Sequence, residues 1–285
     1  MKKQFVLIRN LFTLALVSTS INAFAATATS TTAAPSFKDS LDLKFYATTE
    51  QMKGEKKQEK GAYETTGFVN VLESTFGYAL TKSDYLELYG AVTYTVNNDD
   101  DNEFQPDSTQ FKYKRKNILT EDKHGVGLSA DIRSFHLLSD ESRDALSWNG
   151  AIVPNLSLSR KVTSWLSVYT TLRYYMYYRT KATVGTSKNQ FRVYLTPSFT
   201  ITDKLSAGTM FKYKHTDRVG KAAPGKHDQS DSLQFIPSVA YDVAKNANIE
   251  LYADATLMKS YDDETISKTA GDDFVIGATL SLTAF

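Results

Sequence analysis

From residue 40 to the end of the chain, apolar and polar side chains alternate with a period of two. Leu233, Phe235, Pro237, Val239, Tyr241 and Val243 alternate with Ser232, Gln234, Ile236, Ser238, Ala240 and Asp242. Phe191, Val193, Leu195, Pro197, Phe199 and Ile201 alternate with Arg192, Tyr194, Thr196, Ser198 and Thr200. Ile249, Leu251, Ala253, Ala255 and Leu257 do the same against Glu250, Tyr252, Asp254 and Thr256. A helical i, i+3, i+4 spacing does not fit these stretches. Each predicts a strand with one apolar and one polar face. The pattern predicts twelve strands, at 40–49, 62–80, 84–96, 108–119, 124–138, 146–160, 164–180, 188–201, 204–216, 230–243, 247–260 and 272–285. Segment 108–119 alternates least and is included partly because a closed barrel needs an even count.

The connections fall into two classes. Short ones are Thr81-Lys82-Ser83, Thr120 to Lys123, Lys161-Val162-Thr163, Thr202-Asp203 and Ala244-Lys245-Asn246. Longer ones are 50–61, 97–107, 139–145, 181–187, 217–229 and 261–271. The two classes alternate strictly, as short periplasmic turns and longer outer loops do in an outer-membrane barrel. A water-soluble β-sandwich is the competing all-β reading, but it does not predict aromatic belts. Here Phe76, Phe199 and Tyr241 group near the short turns. Tyr94, Tyr178, Phe191, Phe211, Tyr213, Phe235 and Phe274 group near the long loops. Amphipathic rings favour the membrane interfaces. The fold class expected is therefore all-β, a closed antiparallel transmembrane β-barrel of about twelve strands. Pro154, Pro197 and Pro237 recur at one place in three descending strands, each on the outward face, where a local bulge would accommodate the lost ladder bond.

The N-terminus adds a compartment. Lys2, Lys3 and Arg9 precede an apolar stretch from Leu11 to Val17, and Ala23-Phe24-Ala25 is a small-residue cleavage site. Residues 1–25 thus read as a secretory signal peptide. Residues 26–39 read as a flexible periplasmic lead-in, and 40–285 as the barrel. The formal charge is +1, and removal of the signal's three basic residues takes it to −2. That balance argues against a nucleic-acid partner. The absence of cysteine excludes a disulfide scaffold and a thiol nucleophile. No apolar run reaches the roughly 18–20 residues of a spanning helix. The expected location is the bacterial outer membrane. Outer-membrane lipids, the barrel assembly machinery and small solutes are the expected partners, and the oligomeric state stays open.

Catalytic chemistry has little to build on. His124, His136, His215 and His227 are the histidines. His136 has outward parity, whereas Ser157 and Ser159 on the next strand have inward parity, so they cannot pair across one face. His227-Asp228 with Asp217 sits in a solvated loop. No enzyme activity is expected. Asp99-Asp100-Asp101 with Glu103 and Asp107, and Asp262-Asp263-Glu264 with Asp272-Asp273, make acidic loops whose spacing matches no defined ion loop. No metal or cofactor is expected.

The inward positions carry more. Trp165, Ser167, Tyr169, Thr171, Arg173, Tyr175, Tyr177 and Arg179 share one face of a strand. Arg192 and Tyr194 continue that wall on the next strand, and Lys212 and Lys214 on the one after. Asp242, Glu250 and Asp254 follow on the neighbouring wall, lower down. Twelve strands fall between barrels that side chains fill and barrels that leave a wide channel, and a narrow channel is the expectation.

Segment 152–179, with its proline-containing strand, short turn and Arg173-Tyr174-Tyr175, resembles the twelve-stranded oligogalacturonate-specific porins, as does 195–214. The resemblance implies a pore lined by basic residues that conducts acidic oligosaccharides. Arg173, Arg179, Arg192, Lys212 and Lys214 are the matching positions. The acidic loop 97–107 and the acidic wall depart from that pattern. The terminal Phe285 resembles the assembly signal of outer-membrane proteins. The alternating residues Phe274 to Leu282 have the opposite parity, which a bulge near Thr283-Ala284 would correct. The expected function is passive diffusion of small polar or anionic solutes. A structural or adhesive barrel is the alternative, and a barrel enzyme the third.

Overall fold

The computed structural model describes residues 41–56, 63–97, 103–140, 143, 148–179, 186–219, 229–261, 264–266 and 274–284. The signal segment, the lead-in and Phe285 lie outside them. Twelve strands form one closed antiparallel barrel. They are β1 (Leu41–Lys56), β2 (Tyr63–Ala79), β3 (Asp84–Asn97), β4 (Glu103–Leu119), β5 (Gly127–Leu137), β6 (Gly150–Lys161), β7 (Leu166–Tyr178), β8 (Ser187–Thr200), β9 (Leu205–Arg218), β10 (Gln229–Ala244), β11 (Ala247–Tyr261) and β13 (Phe274–Thr283). The short β12 (Glu264–Ile266) pairs only with the far end of β11. Each strand pairs with its sequence neighbours, and β1 pairs with β13 to close the ring. No edge is left open, which a lipid-exposed sheet requires.

All twelve expected strands are present. β1 runs seven residues beyond the expected end at 49, and β4 starts at Glu103 rather than 108. β4 carries a bulge just before the expected segment 108–119. Ala91 pairs with Ser108 and Val92 with Pro106, so Asp107 is an extra residue. Before it Phe104 shares the outward face, and after it Phe111 does. The parity switches at Asp107, and within 108–119 the ladder to β5 slips again between Arg115 and Leu119, where Asn117 stands at φ 56°. The expected turn at Thr120 to Lys123 is one turn of helix, α1 (Glu121–His124), ended by Gly125 at φ 71°. That left-handed conformation favours glycine.

Threonine shapes three of the short turns. The backbone N–H groups of Asp84, Leu166 and Leu205 each donate to a threonine hydroxyl three residues earlier, Thr81, Thr163 and Thr202, at 3.0 Å. Such local bonds satisfy turn donors that the ladder does not reach.

Two expectations about irregularity are corrected. The prolines cause no bulge. Ile152 pairs with Met176 and Asn155 with Arg173, Leu195 with Phe211 and Ser198 with Gly208, and Phe235 with Ala255 and Ser238 with Tyr252. The register is the same on both sides of Pro154, Pro197 and Pro237. Each proline leaves a gap in the ladder to the following strand while its other side stays paired, to Ile132, Val168 and Thr209. A missing N–H removes bonds on one side only, so the register survives. Nor is there a bulge at Thr283: Thr283 pairs with Lys44, and the Ala284 N–H continues to the Leu43 carbonyl.

The apolar side chains face out. Leu72, Phe76, Leu88, Leu251 and Ile276 are all exposed. The buried apolar set is small, with Ala91, Ala151, Val153 and Leu172 among it. A soluble sandwich would invert this distribution. No helix among the described residues is long and apolar enough to cross a membrane, so strands must do it if the chain spans one. Of the expected belts, Phe76, Tyr241 and Tyr94 are exposed near the rims. Phe211 and Phe235 pair at 5.3 Å at mid-height rather than at the long-loop rim. Trp165 was expected inward. It stands in the turn before β7 and stacks on outward Phe199 at 6.0 Å, so it belongs to the short-turn belt.

Candidate functional site

The lumen face of β7, β8 and β9 is built by register. Arg173 stands opposite Arg192, and Arg192 opposite Lys214. One rung toward the short turns, Thr171, Tyr194 and Lys212 align. One rung toward the long loops, Tyr175, Gln190 and Thr216 align. Because side chains alternate across the sheet, every one of these projects into the barrel.

Directly opposed cations repel, and the neighbouring side chains offset this. The Arg173 guanidinium lies 5.0 Å from the Tyr194 ring, and that of Arg192 lies 4.2 Å from Tyr175. Each arginine thus uses the other strand's tyrosine as a cation–π partner. Arg173 Nε donates to Asn155 Oδ1 at 2.7 Å and Nη1 to the Tyr175 hydroxyl at 3.2 Å. Arg192 Nε donates to Gln190 Oε1 at 2.5 Å and Nη1 to the Tyr194 hydroxyl at 3.4 Å. Tyr177 stacks on Tyr175 at 5.8 Å and donates to Gln190 at 3.3 Å. The result is a fixed basic and aromatic wall. Among the described residues, none of Arg173, Arg192, Lys212 and Lys214 has a carboxylate within ion-pair distance.

The other expected positions divide. Tyr169 faces the lumen near the short-turn rim and is exposed there. Arg179 lies just past the end of β7, and its Nε and Nη2 are buried without a partner among the described residues. Asp242 accepts from Asn248 at 2.8 Å beside the β10–β11 turn. Glu250 is three residues into β11, low in the barrel. Asp254 is not low. Gln234 pairs with Lys212 on one side and donates to both Asp254 oxygens at 3.1 Å on the other, which puts Asp254 level with the basic wall.

Sequence reasoning missed the lumen face of β1 to β6. Lys112 on β4 is ion-paired to Glu87 on β3. Arg133 Nε donates to Asp131 at 2.7 Å, and Asp131 also accepts from Asn155 at 2.6 Å, which carries the network on to Arg173. The Tyr89 hydroxyl donates to Glu73 at 2.5 Å, and that of Tyr252 to Glu50 at 2.5 Å. A cavity of about 240 Å³ lies beside Glu73, Tyr89 and the Lys112–Glu87 pair. Inward parity, applied to every strand, was the signal for all of these.

The described histidines do not converge. Ser134 and His136 are 2.8 Å apart, with the Tyr178 hydroxyl 2.5 Å from His136 Nδ1. The third position of this set is a phenol rather than a carboxylate, and the backbone around it is engaged in ladders to β4 and β6. His215 contacts Asp231 at 2.8 Å and Asp217 at 3.2 Å. His124 is exposed on α1, and His227-Asp228 lies outside the described residues. Asp99 to Asp101, Asp262-Asp263 and Asp272-Asp273 also lie outside them. Among the described residues no set of His, Asp and Glu converges as metal ligands.

No protein-family model and no curated protein matches the sequence. Solved structures do match the fold. The COG4313 outer membrane channel from Pseudomonas putida F1 is 8% identical over 85% of this chain and 95% of its own, with a TM-score of 0.54. The NanC porin is 10% identical over 85% and 98%, with a TM-score of 0.51. The KdgM porin is 12% identical over 84% and 98%, with a TM-score of 0.48. The first two show that the barrel shares the architecture of outer-membrane channel and porin barrels. At such identities the likeness concerns fold and nothing finer.

Proposed function

We propose that this barrel is a passive diffusion channel of the bacterial outer membrane with a preference for small anionic solutes. The observation that carries the reading is the basic rung of Arg173, Arg192 and Lys214, with Lys212 beside it. Among the described residues these cations face the lumen without carboxylate partners, while Lys112 on β4 and Arg133 on β5 are paired. A solute entering a narrow lumen sheds part of its hydration, and fixed cations replace it best for anions. The planar guanidinium is suited to carboxylate. Tyr175, Tyr177 and Tyr194 give the same wall faces for the C–H surfaces of a sugar ring, so acidic saccharides fit the reading. The fold agreement with channel and porin barrels supports it.

The test is a planar bilayer carrying the refolded full chain. R173S/R192S/K214S should move the zero-current potential in a salt gradient toward cation preference. An unchanged potential would mean that these groups do not line the conducting path.

A further inference from the structure

The charged lumen residues sort by partner as well as by sign. Around β3 to β6 they neutralise one another, through Lys112–Glu87 and Arg133–Asp131. On β7 to β9 the cations lack carboxylate partners. On β11, β1 and β2 the reverse holds: among the described residues, Asp254, Glu50 and Glu73 have no cation within ion-pair distance. Two of these carboxylates are pinned by a tyrosine hydroxyl, Tyr252 on Glu50 and Tyr89 on Glu73. The third is held by the Gln234 amide.

Glu50 and Glu73 face the basic wall, whereas Asp254 on β11 stands beside it, two strands from Lys212 on β9. β8 and β2 are six strands apart whichever way the twelve-membered ring is followed. Glu50, Glu73, Asp254, Arg173, Arg192, Lys212 and Lys214 all stand six to nine residues above the short-turn end of their strands. The lumen at mid-height therefore has an acidic side and a basic side, and a field crosses the path rather than running along it. A plain anion drawn to the arginines has carboxylates across from it. A solute with both charges satisfies both walls at once. The cavity beside Glu73 leaves space at the acidic side; its other charged lining residues, Glu87, Lys112 and Arg133, are engaged in ion pairs, and Glu73 is the carboxylate there without one.

We propose that the mid-height lumen selects small zwitterionic solutes of amino-acid or short-peptide size, with the carboxylate at Arg173 and Arg192 and the ammonium on the acidic side at either Glu73 or Glu50, which stand four residues apart in register. This rests on the channel reading and on its basic wall, but replaces the singly charged anion as preferred organic solute by one that carries both charges. Tyr89 and Tyr252 serve as positioning residues, because they hold the carboxylates in place and touch no solute charge themselves.

Proteoliposomes of the refolded full chain test this by initial uptake of labelled glycylglycine, N-acetylglycinate and the neutral pentose arabinose. Glycylglycine should enter faster than N-acetylglycinate by roughly threefold or more. E50Q/E73Q should bring that ratio to about one while arabinose uptake is unchanged. If the double variant does not refold, E73Q alone carries the same comparison, with a smaller loss. Arabinose uptake with no zwitterion advantage, or an advantage that survives the Glu variants, overturns this inference and leaves the channel reading standing. No arabinose uptake at all overturns both.

Discussion

Replacing Gly277 by alanine should loosen the barrel at the seam where its first and last strands meet. Gly277 on β13 pairs with Tyr252 of β11 on one side and with Glu50 of β1 on the other. The Tyr252 side chain lies over the Gly277 backbone and reaches Glu50, where its hydroxyl donates at 2.5 Å. A Cβ at position 277 would stand 2.8 Å from the ring's Cε1 and closer still to Cζ and the hydroxyl. Real Cβ contacts do not occur there, so the ring must swing away and the bond to Glu50 must break. A hydrogen bond to a charged group contributes about 1.5–3 kcal/mol, and residual overpacking costs about 1–3 kcal/mol. The ring can move, which relieves much of the second term. The expected loss for G277A is therefore about 2–4 kcal/mol. Y252F deletes the bond but keeps the ring, at about 1.5–3 kcal/mol. In the Y252F background G277A has no bond left to break. The two changes should fall short of additivity by about the worth of that shared bond, about 1.5–3 kcal/mol, well beyond the ~0.3–0.5 kcal/mol scatter of independent sites. Equilibrium urea unfolding of the refolded chain in detergent or vesicles measures all four corners of the cycle. Additive effects, or a G277A loss below about 0.5 kcal/mol, would refute the reasoning.

Three further outcomes can be checked with the same material. E87Q should destabilise the barrel by about 1–3 kcal/mol, because Lys112 keeps a charge with its carboxylate gone, and E87Q/K112M should recover most of the loss in the same unfolding assay. G150A should cost about 2–4 kcal/mol, since its Cβ would overlap both the Tyr178 hydroxyl and the Phe135 backbone carbonyl, and a ladder carbonyl cannot swing aside as a ring can. L72R should cost about 2–4 kcal/mol in phospholipid vesicles, because Leu72 is outward and mid-strand, and the cost should be much smaller if that face is wet.

The strands were legible because one face must be apolar and the other polar, and that constraint repeats every second residue. It located all twelve, and it put Arg173, Arg192, Lys212, Lys214, Tyr175, Tyr177 and Tyr194 on one wall. It failed where the period slips. Asp107 inserts one residue into β4, so the halves of that strand obey opposite parities. Lys112 lies after that bulge, in the segment that alternates least, and was overlooked with it. The prolines misled for a different reason. A lost N–H looks like a defect in one dimension, but in the sheet it faces one neighbour only, and the register passes through. Trp165 was placed by parity although it stands in a turn, where parity has no meaning. The acidic side of the lumen was half visible. Asp254 was assigned to the wall, but its height needs the shear between neighbouring strands, which a sequence does not display. Glu50 was assigned to a loop because β1 outruns its apolar pattern by several residues. The pairing of charges across β3 to β5 is a property of register, and no single strand contains it.

The central claim is that the lumen is an open path with a basic mid-height wall. The most direct measurement is the current through a planar bilayer containing the refolded wild-type chain, held across a salt gradient. Discrete conductance steps and a zero-current potential of the sign that marks anion preference are expected. The absence of steps, or a potential of the cation-selective sign, would contradict it.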